Sequence, residues 1–103
     1  NATLASADGL YEPKGIALVA GGVFIADASS NRALFYSGTS TTATRVFGQT
    51  DNFTGTSANP AGLGSLNTPY SLAADSSGIY VADSFNNRVL YFAGNSTTPT
   101  RVY

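Results

Sequence analysis

The 103-residue sequence contains no cysteine, no histidine, no methionine and no tryptophan. Without cysteine the chain has neither a disulfide nor thiolate chemistry, and cysteine usage gives no indication of its redox compartment. Without histidine it lacks the commonest general base and the commonest zinc ligand. Because methionine is missing even from position 1, we expect a processed product, a trimmed chain or an excised fragment.

Charge is also scarce, since charged residues make up only 11% of the chain and the net charge is −1, whereas roughly 25% is usual in soluble proteins. The basic residues are never adjacent: Lys14, Arg32, Arg45, Arg88 and Arg101. Phosphate recognition requires clustered Lys or Arg, so we expect neither nucleic acid nor a membrane surface as a partner. No glycine-rich phosphate loop and no nucleophile motif is present, so the sequence predicts no cofactor and no enzymatic activity.

The main feature that is present is a repeat of 56 residues, which aligns with itself without a gap. Repeat 1 covers residues 10–47, repeat 2 covers residues 66–103, and a Gly-, Thr- and Asn-rich linker joins them at residues 48–65. Of the 38 aligned pairs, 16 are identical, which chance does not produce over an ungapped window. The segment Gly22-Val-Phe-Ile-Ala-Asp27, for example, aligns with Gly78-Ile-Tyr-Val-Ala-Asp83.

Each repeat predicts four short strands separated by turn residues. They are predicted near 15–19, 23–26, 32–36 and 43–47, and again near 71–75, 79–82, 88–92 and 99–103. The central strands are apolar on both faces, as in Val23-Phe-Ile-Ala26 and Val89-Leu-Tyr-Phe92, and such strands are covered on both sides. Because a propeller packs small sheets between neighbouring sheets, the prediction is an all-β chain of two four-stranded antiparallel propeller blades.

The repeats resemble the NHL-repeat family of β-propellers, in a bacterial-type variant with long linkers. The motifs that carry the resemblance are Pro13-Lys-Gly-Ile-Ala17 with Val23–Arg32, Pro69-Tyr-Ser-Leu-Ala73 with Ile79–Val89, and Val46-Phe-Gly-Gln49. Two positions depart from the pattern, since Gly15 is Ser in repeat 2 and Val19 stands where the family usually has Asp. The resemblance implies a ring, often of six blades, that serves as a binding or scaffolding surface. The zinc- and histidine-dependent lyase activity of some members does not carry over, because this chain has no histidine.

Two blades cannot close a ring, so an apolar face is expected to be open at each end of the chain. Leaving large apolar side chains in water forfeits roughly 1.5–3 kcal/mol each, against a total stability of about 5–15 kcal/mol. Exposed apolar faces predict association, and a head-to-tail contact that closes gives a cyclic oligomer. The expected partners are therefore copies of the same chain, in a homotrimer of six blades, although four copies would give eight.

The recurrent pairs Asp27–Arg32 and Asp83–Arg88 are the first candidate residues. They are interpreted either as a charged ligand site or as a structural brace, in which Asp accepts backbone N–H groups of the turn and Arg supports it. Recurrence in both repeats favours the brace, because a single active site would not need copying. The segment Asp27–Asn31 lacks the second carboxylate and the glycine of a calcium loop, so no metal is expected.

A ligand surface is predicted where the repeats differ. The aromatic residues without an aromatic counterpart are Tyr11, Phe53, Tyr70 and Phe85, and Lys14 is the residue aligned with Tyr70. All five lie in or beside connectors that share one rim of a propeller. They are the predicted contacts for a protein or glycan ligand.

The predicted function is a non-enzymatic binding or scaffold module that self-assembles. One alternative is a lectin-like propeller with one glycan site per repeat, and another is an engineered or evolutionary-model propeller fragment with no ligand. A polysaccharide hydrolase or lyase is disfavoured because the chain has no carboxylate pair. Three Asn-x-Ser/Thr sequons, at Asn1, Asn52 and Asn95, exceed the about two expected by chance and favour an extracellular protein.

Overall fold

The computed structural model describes residues 6–49, 52–58 and 64–103. These residues form two four-stranded antiparallel sheets in which each strand pairs with the next one along the chain. Sheet 1 consists of β1 (Pro13–Val19), β2 (Gly22–Asp27), β3 (Arg32–Ser37) and β4 (Arg45–Phe47). Sheet 2 consists of β5 (Pro69–Asp75), β6 (Gly78–Asp83), β7 (Arg88–Ala93) and β8 (Arg101–Val102). The predicted all-β class and the four strands per repeat are confirmed.

Each sheet contains one short helical turn between its second and third strands. These 3-10 turns span Ala28–Ser30 and Ser84–Asn86, and each ends at an Asn in the left-handed conformation, Asn31 or Asn87, with φ 55°. Asn adopts this conformation more readily than most residues. In the described part of the chain, no helix is long and apolar enough to cross a membrane.

The two sheets pack face to face around one apolar cluster. Alternate residues of every strand point to this shared face, as the pleat of a strand requires. The buried members are Phe24, Ala33, Phe35 and Phe47 from sheet 1, Ile79, Val81, Leu90 and Phe92 from sheet 2, and Leu66 from the connector before β5. The Phe47 and Phe92 rings meet edge to face across the interface, with centroids 5.1 Å apart.

The closest approach of the two sheets is between their first strands, β1 and β5. A Cβ atom on Gly15 would lie 2.8 Å from the Cα atom of Ser71 and 2.8 Å from the carbonyl oxygen of Tyr70. Real Cβ atoms essentially never come so near backbone, so a side chain at position 15 would push the two strands apart. Glycine at this position therefore lets the sheets meet.

A second, smaller cluster covers part of the opposite face of sheet 1. Its buried members are Leu34, Tyr36, Ala43 and Val46, and Ala7, Leu10 and Phe53 pack onto them from outside the sheet. The N-terminal segment is fixed there by a hydrogen bond from the Ala43 amide to the Ala7 carbonyl. Burial raises the pKa of the Tyr36 phenol, which lies in this cluster. Sheet 1 is thus apolar on both faces, and only one of them meets the other sheet.

The observed strands are shifted a little from the predicted ranges. The first strands begin two residues earlier than predicted, at Pro13 and Pro69, and the fourth strands are shorter, at Arg45–Phe47 and Arg101–Val102. The fourth strands pair with β3 and β7 through three and two residues only.

Gly22 provides a test of the strand register. It pairs with Ser37 on β3, and a Cβ atom there would lie 2.0 Å from the carbonyl oxygen of Tyr36. We expect Gly22→Ala to lower the free energy of unfolding by about 1–3 kcal/mol, the usual cost of forcing extra atoms into a packed site. The neighbouring Gly21 has open space at its Cβ position, so Gly21→Ala is the control. Equal urea midpoints for the two variants would contradict this register.

Candidate functional site

The buried Asp27–Arg32 ion pair is the polar centre of sheet 1. The Arg32 Nε donates to the Asp27 carboxylate at 2.8 Å, and both side chains are fully buried. Asp27 also accepts a hydrogen bond from the Tyr11 amide. Because a buried ion pair is stable only when its remaining polar atoms are bonded, the other nitrogens of Arg32 require partners.

Carbonyl oxygens of two connectors supply those partners. Arg32 Nη2 donates to Gly9 at 2.7 Å and to Ser6 at 3.0 Å, in the segment before β1. Arg32 Nη1 donates to Phe53 at 2.6 Å, in the linker after β4. One guanidinium therefore joins the helical turn, the N-terminal segment and the linker.

The equivalent pair in sheet 2 has fewer partners. Arg88 donates to Asp83 at 2.7 Å and to the Ser65 carbonyl at 2.7 Å, as its counterpart does to Asp27 and Gly9. In the described residues nothing corresponds to the Phe53 contact, and the Arg88 side chain is 25% exposed where Arg32 is fully buried. Asp83 accepts further hydrogen bonds from the Asn67 amide and from Asn86 Nδ2. The Asp–Arg contact is the one that the brace interpretation describes, but each Asp accepts the amide of a connector residue, Tyr11 or Asn67, and bonds no backbone amide of the helical turn.

Asn31 connects sheet 1 to the linker and to sheet 2, a role that the sequence analysis did not assign. Its Oδ1 accepts from the Thr68 amide at 2.8 Å, and its Nδ2 donates to the Thr56 carbonyl at 2.8 Å. Its own carbonyl accepts from Gln49 Nε2, which also bonds Ser57. The signal available in the sequence was the identity of Asn31 and Asn87 between the repeats, beside the Arg of each ion pair.

The five predicted ligand residues lie in different surroundings. Tyr11, Tyr70 and Phe85 are exposed. Lys14 and Tyr70 are brought together, with the Lys14 Nζ 6.0 Å from the centre of the Tyr70 ring. Phe53 is half-buried and packs on the second cluster of sheet 1. Their role in ligand binding stays a prediction.

The outward face of sheet 2 carries three tyrosines and an arginine. This tyrosine face consists of Ala73, Tyr80, Tyr91, Arg101 and Tyr103, which point away from sheet 1. The Arg101 guanidinium lies 4.1 Å from the centre of the Tyr91 ring, and the Tyr80 and Tyr91 centroids are 4.7 Å apart. Tyr103 is 60% exposed. The face is therefore a pre-formed aromatic surface, in which Tyr91 is buried beside Arg101 and Tyr80 while Ala73, Arg101 and Tyr103 are exposed.

The outward face of sheet 1 is aliphatic. This aliphatic face consists of Ile16, Leu18, Val23 and Ile25, of which Ile16 is 65% and Leu18 is 77% exposed. Two shallow clefts of about 260 and 290 Å³ lie on it, and both are lined by Leu10 and Ile25. None of these four side chains is polar, and the charged side chains beside them are Lys14 and Asp8, each of which lines one of the clefts.

A third cleft, of about 350 Å³, opens between the two sheets and contains one charge of each sign. The Arg45 guanidinium lies 4.3 Å from the centre of the Phe35 ring, and its buried Nη1 has no hydrogen-bond partner in the described residues. Burial lowers the pKa of Arg45. Hydrogen bonds from Ser77 lower the pKa of the exposed Asp75 carboxyl on the other wall. No group of three or more metal-ligating side chains occurs anywhere in the described residues.

Two of the three sequons lie in the described residues. Asn52 and Asn95 are both exposed, whereas Asn1 lies outside the described ranges. The Asn52 side chain accepts hydrogen bonds from the amide and hydroxyl of Thr54.

Replacing each brace arginine measures how far the two pairs differ. Arg32→Leu leaves the buried Asp27 with one hydrogen bond, from Tyr11, and we expect a loss of about 3–5 kcal/mol in the free energy of unfolding. Arg88→Leu leaves Asp83 with two hydrogen bonds and removes a partly exposed group, so its loss is smaller. Denaturant unfolding of the two variants checks this order, and equal losses would contradict it.

Comparison with protein-family models and with curated proteins found no match. What can be said of its function therefore comes from its own residues: the repeat, the two sheets and the surfaces that they leave open.

Proposed function

We propose that this chain is a non-enzymatic binding or scaffold module that assembles with copies of itself into a closed β-propeller of the NHL-repeat type. In this proposal each sheet is one blade, and three copies supply six blades. The ring is the functional unit, and its rims carry the connectors that contact a ligand.

The observation that carries the proposal is an equivalence between open and covered faces. The tyrosine face of sheet 2 stands, residue for residue, where sheet 1 presents Ala17, Phe24, Phe35, Arg45 and Phe47 to sheet 2. The aliphatic face of sheet 1 stands where sheet 2 presents Leu72, Ala74, Ile79 and Val81 to sheet 1. The outward face of each sheet thus has residues equivalent to those on one side of the interface between the two sheets.

The free energy of burying apolar side chains favours covering the outward faces of the two sheets. Burying one Leu or Ile contributes roughly 1.5–3 kcal/mol, and Ile16 and Leu18 are both mostly exposed. A total stability of about 5–15 kcal/mol makes even two such side chains significant. Self-association supplies the cover, because the complementary face is present on every copy.

The non-enzymatic part of the proposal rests on composition. The chain has no histidine and no cysteine, and the sequence contains no nucleophile motif. Its charged side chains are mostly used in internal hydrogen bonds, as Asp27, Arg32 and Asp83 are. The exposed aromatic and amide groups are suited to binding a ligand rather than to catalysis.

Solution mass tests the assembly. We expect the unaltered chain to have three times the mass of one 10.6-kDa chain in light scattering after size exclusion. Leu18→Glu places a charge in the centre of the aliphatic face at a mostly exposed position, so it should give a folded monomer. Thr39→Glu, in the exposed loop between β3 and β4, is the control and should stay assembled. A folded monomer of the unaltered chain at every concentration would overturn the proposal.

A lectin-like role is the second candidate, favoured by one observation on the rim. The Ser29 amide bonds the Tyr11 carbonyl, and at the equivalent place in sheet 2 the Phe85 amide bonds the Asn67 carbonyl, both at 3.2 Å. Each pair contains one exposed aromatic ring, Tyr11 at 54% and Phe85 at 66% exposure. Every repeat therefore offers one aromatic ring at the same place, as a glycan site per repeat requires.

Glycan binding tests this second candidate. An array would identify a saccharide, and titration with it should show two sites per chain. Tyr11→Ala and Phe85→Ala should each halve the number of sites, because the rings project from separate repeats and are not packed in the core. Tyr70→Ala is the control, since Tyr70 lies beside Lys14 and belongs to neither pair. Binding that survives loss of both rings would exclude this site.

A further inference from the structure

We propose that the copies join head to tail, with the tyrosine face of one copy on the aliphatic face of the next. In this junction the Asn87 side chain accepts a hydrogen bond from the backbone amide of Glu12 of the neighbouring copy. The inference rests on the self-assembly proposed above and specifies its contact. The partner is a second copy of this chain, and the recognised element is its first connector.

The template for this contact lies within the chain. Asn31 is left-handed at φ 55°, and its side chain accepts from the amide of Thr68, which is itself left-handed at φ 52°. This bond ties the helical turn of sheet 1 to the connector that enters sheet 2. By the 56-residue repeat, Asn31 corresponds to Asn87, and Thr68 corresponds to Glu12.

The acceptor and the donor of the equivalent hydrogen bond, Asn87 and Glu12, are both present in the chain, but they are not bonded to each other. Asn87 and Glu12 both have φ 55°, so the acceptor and the donor already have the backbone conformation of the bonded pair. Asn87 and Glu12 are exposed. Among the described residues, neither the Asn87 side chain nor the Glu12 amide has a hydrogen-bond partner. Because the two belong to different sheets, a neighbouring copy supplies the simplest pairing.

The aromatic side chains of the open face are already arranged as in the covered one. In sheet 1 the Arg45 guanidinium lies 4.3 Å from the Phe35 ring, and in sheet 2 Arg101 lies 4.1 Å from the Tyr91 ring. The Phe24–Phe35 and Tyr80–Tyr91 centroid distances are both 4.7 Å. This surface needs little rearrangement to receive a sheet, and pre-organisation lowers the free-energy cost of binding.

Two features distinguish the junction between copies from the one inside the chain. Phenylalanines of the covered face are replaced by tyrosines on the open one, and the Tyr91 hydroxyl donates to the Ser77 carbonyl in the turn between β5 and β6. In addition, Ser71 stands at the position of Gly15, where a Cβ atom would come within 2.8 Å of the backbone of the facing strand. The first strands must therefore lie further apart between copies than within one copy. Lys14 and Tyr70 still meet, because each junction brings one position 14 against one position 70.

Two variants with one blocked face each test the head-to-tail direction. Leu18→Glu blocks the aliphatic face, and Ala73→Glu blocks the tyrosine face at an exposed position on β5. We expect each variant alone to be monomeric and their mixture to form a dimer of twice the chain mass, since it has one intact junction. If Leu18→Glu alone dimerises, the copies pair through like faces and the inference is wrong. If the unaltered chain is itself a monomer, the proposed function fails instead.

The dimer also tests Asn87, with its own internal control. Asn87→Gly removes the side chain and keeps the left-handed conformation. Placed in the Leu18→Glu chain, whose tyrosine face is used, it should raise the dissociation constant about 2- to 12-fold, the range for one net hydrogen bond. Placed in the Ala73→Glu chain, whose tyrosine face is blocked, it should change nothing. An equal effect in both chains, or none in either, would overturn the assignment of Asn87.

Discussion

The structure depends on one constraint: each sheet is apolar on both of its faces. A sheet of this kind is stable only between two other layers, whereas the chain provides one shared interface for two sheets. The constraint fixes the packing of Phe47 on Phe92 inside and leaves Leu18 and Tyr103 outside. The fold and the proposed function therefore both depend on how the second face of each sheet is covered.

The polar contacts follow the same repeated plan. In each repeat an Asp at the end of the second strand receives a connector amide and an Arg from the third strand. These contacts hold the connector against its sheet, with the connector backbone facing the neighbouring element. In sheet 1 the next element is the linker and the start of sheet 2, and Asn31 bonds to both. The repeat therefore encodes the joints between sheets as well as the sheets themselves.

Much of the fold could be predicted, because its determinants are local. Apolar runs such as Val23–Ala26 and the glycines beside them define strands and turns within a few residues. The hydrogen bonds of the candidate site instead join residues that are distant in sequence, which local patterns do not predict. Phe53, for example, packs on sheet 1, and its carbonyl accepts from Arg32, 21 residues away. Asn31 was passed over because its partners, Thr56 and Thr68, lie in segments without periodicity. Comparison of the two repeats gives a signal for Asn31, because this residue is identical in both repeats without being apolar.

The order of strand pairing bears on how the chain folds. Every ladder joins strands that are adjacent in sequence, so each sheet assembles from hairpins with short loops to close. Local pairing of this kind lowers contact order and speeds folding relative to sheets that join remote strands. Residues 48–65 link the two sheets, which pack on each other through Leu66 and the phenylalanines. The linker keeps the two sheets at a high effective concentration, so their docking within one chain is favoured over the same docking between two chains.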